Sequence, residues 1–188
     1  MSTTARPNRL SRTLAQLDRV PAPLRPLVRN LVLRRAVPFT GTARLDFAVM
    51  TPEKVEIGIA NQRRVQNHIQ GVHAAAMTLL AETATGMVVG MNVRDDCLPL
   101  AKELKVQFKR RTQGDMRAVA QLTAQQRQQM QTQDKGEVVV PVTVTAGVAD
   151  AAAIAAACTL VVSPWAITAR GRSRSIAAPS ASKKTATA

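Results

Sequence analysis

The stretch Asn67-His68-Ile69-Gln70-Gly71-Val72-His73-Ala74-Ala75-Ala76-Met77-Thr78-Leu79-Leu80-Ala81-Glu82-Thr83-Ala84-Thr85-Gly86 sets an amide, an imidazole and one carboxylate around the start of a nearly uncharged helix. Between His73 and Glu82 there is no other ionisable side chain. A carboxylate in so apolar a segment is costly to bury unless something pairs with it or uses it. Glu82 is therefore the residue to explain. The predicted helix, 72–86, spreads Val72, Ala75, Ala76, Leu79, Leu80 and Ala84 over more than one stripe, and a helix apolar nearly all round is normally buried.

Outward from this helix the pattern changes period. Ala43, Leu45, Phe47 and Val49 alternate with Arg44, Asp46 and Ala48, as in a half-buried strand. Val55, Ile57 and Ile59 repeat the alternation after a Thr51-Pro52-Glu53 turn. Beyond the helix, Met87–Val93 reads as an apolar strand ended by Arg94-Asp95-Asp96. Leu104, Val106 and Phe108 alternate again, and Thr112-Gln113-Gly114-Asp115 turns into Met116–Leu122. A Gln-rich loop is predicted over 124–135. Glu137–Thr145 and Ala153–Ser163 then form a last antiparallel pair around Gly147-Val148-Ala149-Asp150. Pro141 implies an edge position or a bulge in its strand. One long helix with short-linked antiparallel strands predicts an α+β domain.

A chain of 188 residues predicts one domain with tails. Aromatics make up only 2%, so the core is built from Ala, Val, Leu, Ile and Met. Cys97 and Cys158 lack metal-ligand spacing, and no metal site is expected. Free thiols in a reducing cytosol are the simpler reading, with one disulfide left open. With no apolar run of membrane-spanning length and no secretory leader pattern, a cytoplasmic location is expected.

The net charge of +14 is unevenly distributed. Residues 1–37 hold eight arginines against Asp18, residues 170–188 hold five bases and no acid, and residues 38–169 carry only +2. The chain thus divides into a basic N-terminal extension (1–37, partly helical and partly disordered), a body (38–169) and a disordered basic tail (170–188). Basic ends add salt-dependent affinity for phosphates or anionic membranes without reading base sequence, and the body lacks stacking aromatics. No specific nucleic-acid partner is expected. Within the extension, Leu24, Leu27, Val28 and Leu31 fall at helical spacing beside Arg25 and Arg29. This basic amphipathic helix either packs on the main domain or makes a weak membrane-surface contact.

The order strand, strand, central helix, strand meander resembles the hotdog fold, in which a long central helix is wrapped by a curved antiparallel sheet. Asn67, His73 and Glu82 keep the intervals of the active-site helix of hotdog acyl-CoA thioesterases of the phenylacetyl-CoA thioesterase type. Leu104–Arg110 and Gly114-Asp115 also resemble that family. The resemblance covers about 38–165 and is closer still to a bacterial hotdog group of unknown function. It implies a thioester hydrolase in which the Ala74 N–H binds the thioester carbonyl and Glu82 attacks it or activates water. Asn67 and His73 would orient the thioester or the water. It also implies a site shared between two subunits of a homodimer or a dimer of dimers. The substrate would be an acyl-CoA or acyl-carrier thioester, with Gly71, Lys109, Arg110 and Arg111 as substrate contacts. Coenzyme A would enter only as part of the substrate, with no other cofactor.

The chain departs from those enzymes in three places, one being that the Ser or Thr that often positions water after the helix has no match, Met87–Val93 offering only Asn92. His73-Ala74-Ala75 replaces their usual His-Gly-Gly, and Gln70 stands where a glycine usually lies three residues before the histidine. Competing readings remain for each residue: Glu82 as a satisfied structural carboxylate, His73 as a helix cap, Asn67 as a turn residue, and Lys109–Arg111 as a solvated strand end. Two other functions compete with hydrolysis. One is a hotdog module that binds acyl-CoA or a fatty acyl chain without hydrolysing it. The other is an accessory protein acting through its basic arms.

Overall fold

Residues 7–108, 113–133 and 136–147 are described in full, and 158–169 by backbone alone, in this computed structural model. The chain begins with α1 (Arg9–Leu17), α2 (Arg25–Ala36) and α3 (Pro38–Ala43). Next come β1 (Asp46–Met50), β2 (Lys54–Ile59) and a one-turn 3-10 helix at Arg63–Val65. The long helix α4 (Ala74–Gly90) leads to β3 (Cys97–Ala101), β4 (Leu104–Phe108), β5 (Met116–Gln121), α5 (Ala124–Thr132), β6 (Gly136–Ala146) and β7 (Cys158–Ala169).

All strand pairs are antiparallel, in the order β1-β2-β5-β6-β7-β3. β3 and β4 lie end to end along one flank of β7, interrupted at Lys102-Glu103. Alternate residues of three strands make one apolar surface. Val55, Ile57 and Ile59, then Met116, Ala118 and Ala120, then Val138, Val140, Val142 and Val144 are all buried. Against them pack Leu80, Ala81, Ala84, Val88 and Val89 of α4, each 0% exposed. The small side chains of Ala81, Ala84, Ala118 and Ala120 allow helix and sheet to approach closely.

The apolar run 87–93 is the last turn of α4 and its exit, not the expected strand. A short apolar run carries no period that separates a buried strand from a buried helix, and continuing the helix buries Val88 and Val89 against the sheet. The carbonyls at this end need partners, since the last turn of a helix cannot supply them. Side chains provide them. Asn92 Nδ2 donates to Val88 O at 2.8 Å and to Pro52 O at 2.7 Å. Asn8 Nδ2 donates to Gly90 O at 2.7 Å and Val93 O at 2.6 Å, and Ser11 Oγ donates to Met91 O at 2.8 Å. Asn8 also caps α1, its Oδ1 accepting from Ser11 N at 2.9 Å. One buried carboxamide thus starts the first helix and finishes the central one.

The Gln-rich segment predicted as a loop is largely α5. Thr123 and Gln126 form a reciprocal capping box there, and buried Met130 ties the helix down. Pro141 lies within β6, opposite Val161 of β7. The ladder from β5 stops at Val142, so Pro141 falls where β6 has a free flank, beside a register shift between Val138 and Val140. The expected turn 147–150 and the start of the predicted strand 153–163 lie partly outside the described residues.

α2 docks in an unexpected orientation. Its polar side meets β1 and the residue before it: Asn30 Oδ1 accepts from Phe47 N at 2.8 Å, Arg29 donates to Ala48 O at 2.8 Å, and Arg34 donates to Leu45 O at 2.8 Å. Leu33 is its one buried residue, while Leu24, Leu27, Leu31 and Val32 point to solvent. Arg and Asn side chains, which can saturate strand-edge backbone groups, take the inward face, and the leucines are left outside.

Candidate active site

The loop before α4 is organised by Asn67. Its Oδ1 accepts from Ile69 N at 3.0 Å and from Gly71 N at 3.1 Å, while its own N–H donates to Gly71 O at 2.9 Å. Half of the carboxamide is therefore committed to the loop, and Nδ2 is the part left for another acceptor. Gln66 and Val72 form an isolated antiparallel bridge, and His73 N donates to Val65 O at 2.7 Å. These bonds seat the helix start firmly. Gly71 is buried in this loop. Gln70, where the thioesterases resembling this chain carry glycine, sits in the left-handed region with φ of 62°. That backbone costs an L-residue about 1–2 kcal/mol, part of which glycine would return as unfolded-state entropy. We expect Gln70→Gly to raise stability by about 0.5–1 kcal/mol in denaturant titration.

His73 is the N-cap of α4. Its Nδ1 accepts from Ala75 N at 3.1 Å, which leaves Nε2 of this exposed residue as the ring nitrogen able to donate. The Ala75 amide is thereby used. The Ala74 N–H, at the first helical position, has no acceptor among the described residues. Ala74 and Ala75 are exposed, so this donor is open at the tip of a helix whose dipole favours negative charge.

Glu82 lies further along the same helix. Ala75, Leu79, Glu82 and Gly86 share one stripe, and this is the stripe the sheet leaves partly uncovered. Burial among these apolar neighbours raises the Glu82 carboxyl above its ordinary range, and a hydrogen bond from Thr83 opposes the shift. No cation among the described residues enters that balance. The other deeply placed carboxylate, Glu56, is held between Arg117 and Lys54 on β2 and β5. Among the described residues, Glu82 is partly buried with no cationic partner, as expected of a group kept for use. Thr83 was not singled out by sequence reasoning; a hydroxyl beside the carboxylate was the available signal.

Eight residues of helix separate Ala74 from Glu82 by about 12 Å along the axis, beyond the reach of a carboxylate on the same helix. The structure thus brings Asn67, Gly71, His73 and Ala74 into one corner and sets Glu82 apart from it. Lys109, Arg110 and Arg111 lie outside the described residues. No group of three or more His, Cys, Asp or Glu converges among the described residues. A cavity of about 520 Å³ between α1 and the α4–β3 connection, lined by Asn8, Thr13, Asp95 and Pro99 among others, contains none of the predicted site residues.

This architecture is similar to several solved structures. One is a Pseudomonas aeruginosa protein of unknown function called a probable thioesterase, 20% identical over 76% of this chain and 94% of that one, with a TM-score of 0.66. A thioesterase-family protein from Silicibacter pomeroyi is 15% identical over 74% of this chain and 96% of that one, with a TM-score of 0.60. A Staphylococcus aureus thioesterase is 13% identical over 70% and 98%, with a TM-score of 0.55. At these identities the likeness shows the fold: the central helix in its antiparallel wrap is a hotdog. No curated protein matches the sequence. The model of the family described as Domain of unknown function (DUF4442) matches residues 27–162, which take in most of α2, every element from α3 to β6 and part of β7, and the chain belongs to that family.

Proposed function

We propose that the protein hydrolyses acyl thioesters in a site shared by two copies of the chain. The observation that carries this reading is the Glu82 carboxylate, without a cationic partner among the described residues, on the partly uncovered stripe of α4, with an open N–H donor at the tip of the same helix. A two-fold axis passing near Thr78 and Leu79 would set Glu82 of one copy against the helix tip of the other, twice per dimer. The free edge of β3 and β4, with Leu98, Leu100 and Phe108 exposed, supports pairing of the two sheets there.

In that arrangement the Ala74 N–H stabilises the oxyanion formed from the thioester carbonyl. Glu82 either attacks the carbonyl carbon, expelling the thiolate and forming an acyl anhydride that water then cleaves to the free acid, or takes a proton from a water that attacks directly and expels the thiolate. The Nε2–H of His73 and the uncommitted Nδ2 of Asn67 are the donors that would hold the carbonyl or the water. Acyl-CoA or an acyl-carrier thioester supplies the acyl group, and the leaving thiolate carries the rest of the carrier.

The test is release of free thiol from a panel of acyl-CoAs. We expect turnover well above the spontaneous rate for at least one acyl class. Tight acyl-CoA binding without thiol release would identify a binding module and overturn the hydrolytic reading.

A further inference from the structure

We infer that the outward face of α2 and the start of α3 dock on an anionic membrane surface. Leu27 is 68% exposed, Leu31 65%, Phe39 63% and Leu24 52%, and Val32 and Val37 continue the patch. Scattered exposed leucines are ordinary, but a run of large apolar side chains on one helical segment marks a binding surface. The helix cannot roll to hide them without breaking the bonds from Arg29, Asn30 and Arg34 to β1 and the residue before it. The face is therefore held open by the fold.

Charge selects the occupant. From Arg19 to Leu45 there are six arginines and no acid. Arg19, Arg35 and Arg44 of this segment are exposed. Apolar side chains that enter the acyl boundary, ringed by arginines that reach phosphate headgroups, form an interfacial surface. A second copy fits less well, because the bases outnumber the two flanking acids, Asp18 and Asp46, which already lie against Arg25 and Asn30 of the same chain, so a two-fold contact would bring like charges together. The tail 170–188 fits poorly too, since it carries five bases, no acid and one large aliphatic residue, Ile176. The patch lies beside β1, at the sheet edge opposite β3, so it stays clear of the proposed subunit seam.

The experiment is flotation of the full-length protein with mixed phosphatidylglycerol–phosphatidylcholine vesicles and with pure phosphatidylcholine vesicles. We expect binding to the anionic vesicles that weakens as salt is raised. Leu27→Ser with Leu31→Ser should lower partitioning by roughly tenfold or more, at an unchanged unfolding midpoint because both side chains are already in water. Arg35→Glu should weaken binding by a smaller factor. Binding that survives the double serine change would assign it to the basic ends and overturn the proposal. So would an absence of binding to anionic vesicles, a change of oligomeric state in the serine variant without lipid, or capture of an acidic protein in place of vesicles.

Discussion

Glu82→Gln should reduce thioester turnover by about a thousandfold or more while leaving the protein at least as stable as wild type. The two halves of this expectation share one cause. Burial holds the Glu82 carboxyl above its ordinary value of 4.5. Below that value the group is neutral in both folded and unfolded chains. As pH rises from there through the raised folded value, the unfolded chain ionises first, so stability falls across that window and stays lower above it. A neutral glutamine avoids that loss. Catalysis runs the other way, because the nucleophile or base must be charged. The wild-type rate should therefore decline as pH falls through a limb displaced above the usual carboxylate range, and unfolding midpoints should rise over the same interval. A Glu82→Gln protein that retains full turnover would remove the carboxylate from the mechanism.

The donor side permits a sharper variant. Ala74 occupies the first helical position, where proline is well tolerated, and His73 already has extended backbone at φ −64° and ψ 144°. Ala74→Pro therefore deletes the proposed oxyanion donor with little disturbance of the helix. We expect a loss of about a hundredfold to a thousandfold in turnover. Mixed dimers of Ala74→Pro and Glu82→Gln chains should each regain one intact site, recovering on the order of a quarter of wild-type activity at full subunit exchange. A site contained in one chain would recover nothing.

Asn8→Ala should cost about 2–3 kcal/mol in denaturant unfolding, a large effect for one residue in the N-terminal extension. The change removes the cap of α1, worth about 1 kcal/mol, and leaves the carbonyls of Gly90 and Val93 without their side-chain donor. Asn8→Ser separates the two contributions. Its hydroxyl can still cap α1 but cannot span both carbonyls, so it should recover about 1 kcal/mol of the loss. An alanine variant within about 0.5 kcal/mol of wild type would mean that α1 does not close α4.

These residues also mark where the sequence was readable. The strands of β2, β4 and β5 alternate cleanly because one face of each meets α4 or the rest of the core. α5 was hidden by its polar composition, although Thr123 followed by Gln126 is a helix-start signal in its own right. Pro99 obscured β3, a strand at the sheet edge, where proline is tolerated. α3 carried a mark too, Pro38 at its first turn. For the candidate site, residue spacing pointed to Glu82 and the helix tip, but the double use of Asn67 Oδ1 inside its own loop depends on backbone geometry that no spacing encodes. The direction of α2 was unreadable for a related reason. Amphipathic period shows that a helix has two faces, while the choice of inward face was made by three side chains meeting backbone groups of β1 and the residue before it.

The last of the described strands, β7, lies inside the sheet, with β6 on one flank and β3 and β4 on the other. During synthesis, β6 and the β3–β4 pair must therefore wait for residues 158–169 to leave the ribosome before they can be joined. Until then, two unsatisfied ladders and part of the α4 surface stay open to aggregation or to chaperones. A chain stopped before residue 158 would be an unclosed sheet, not a smaller working domain.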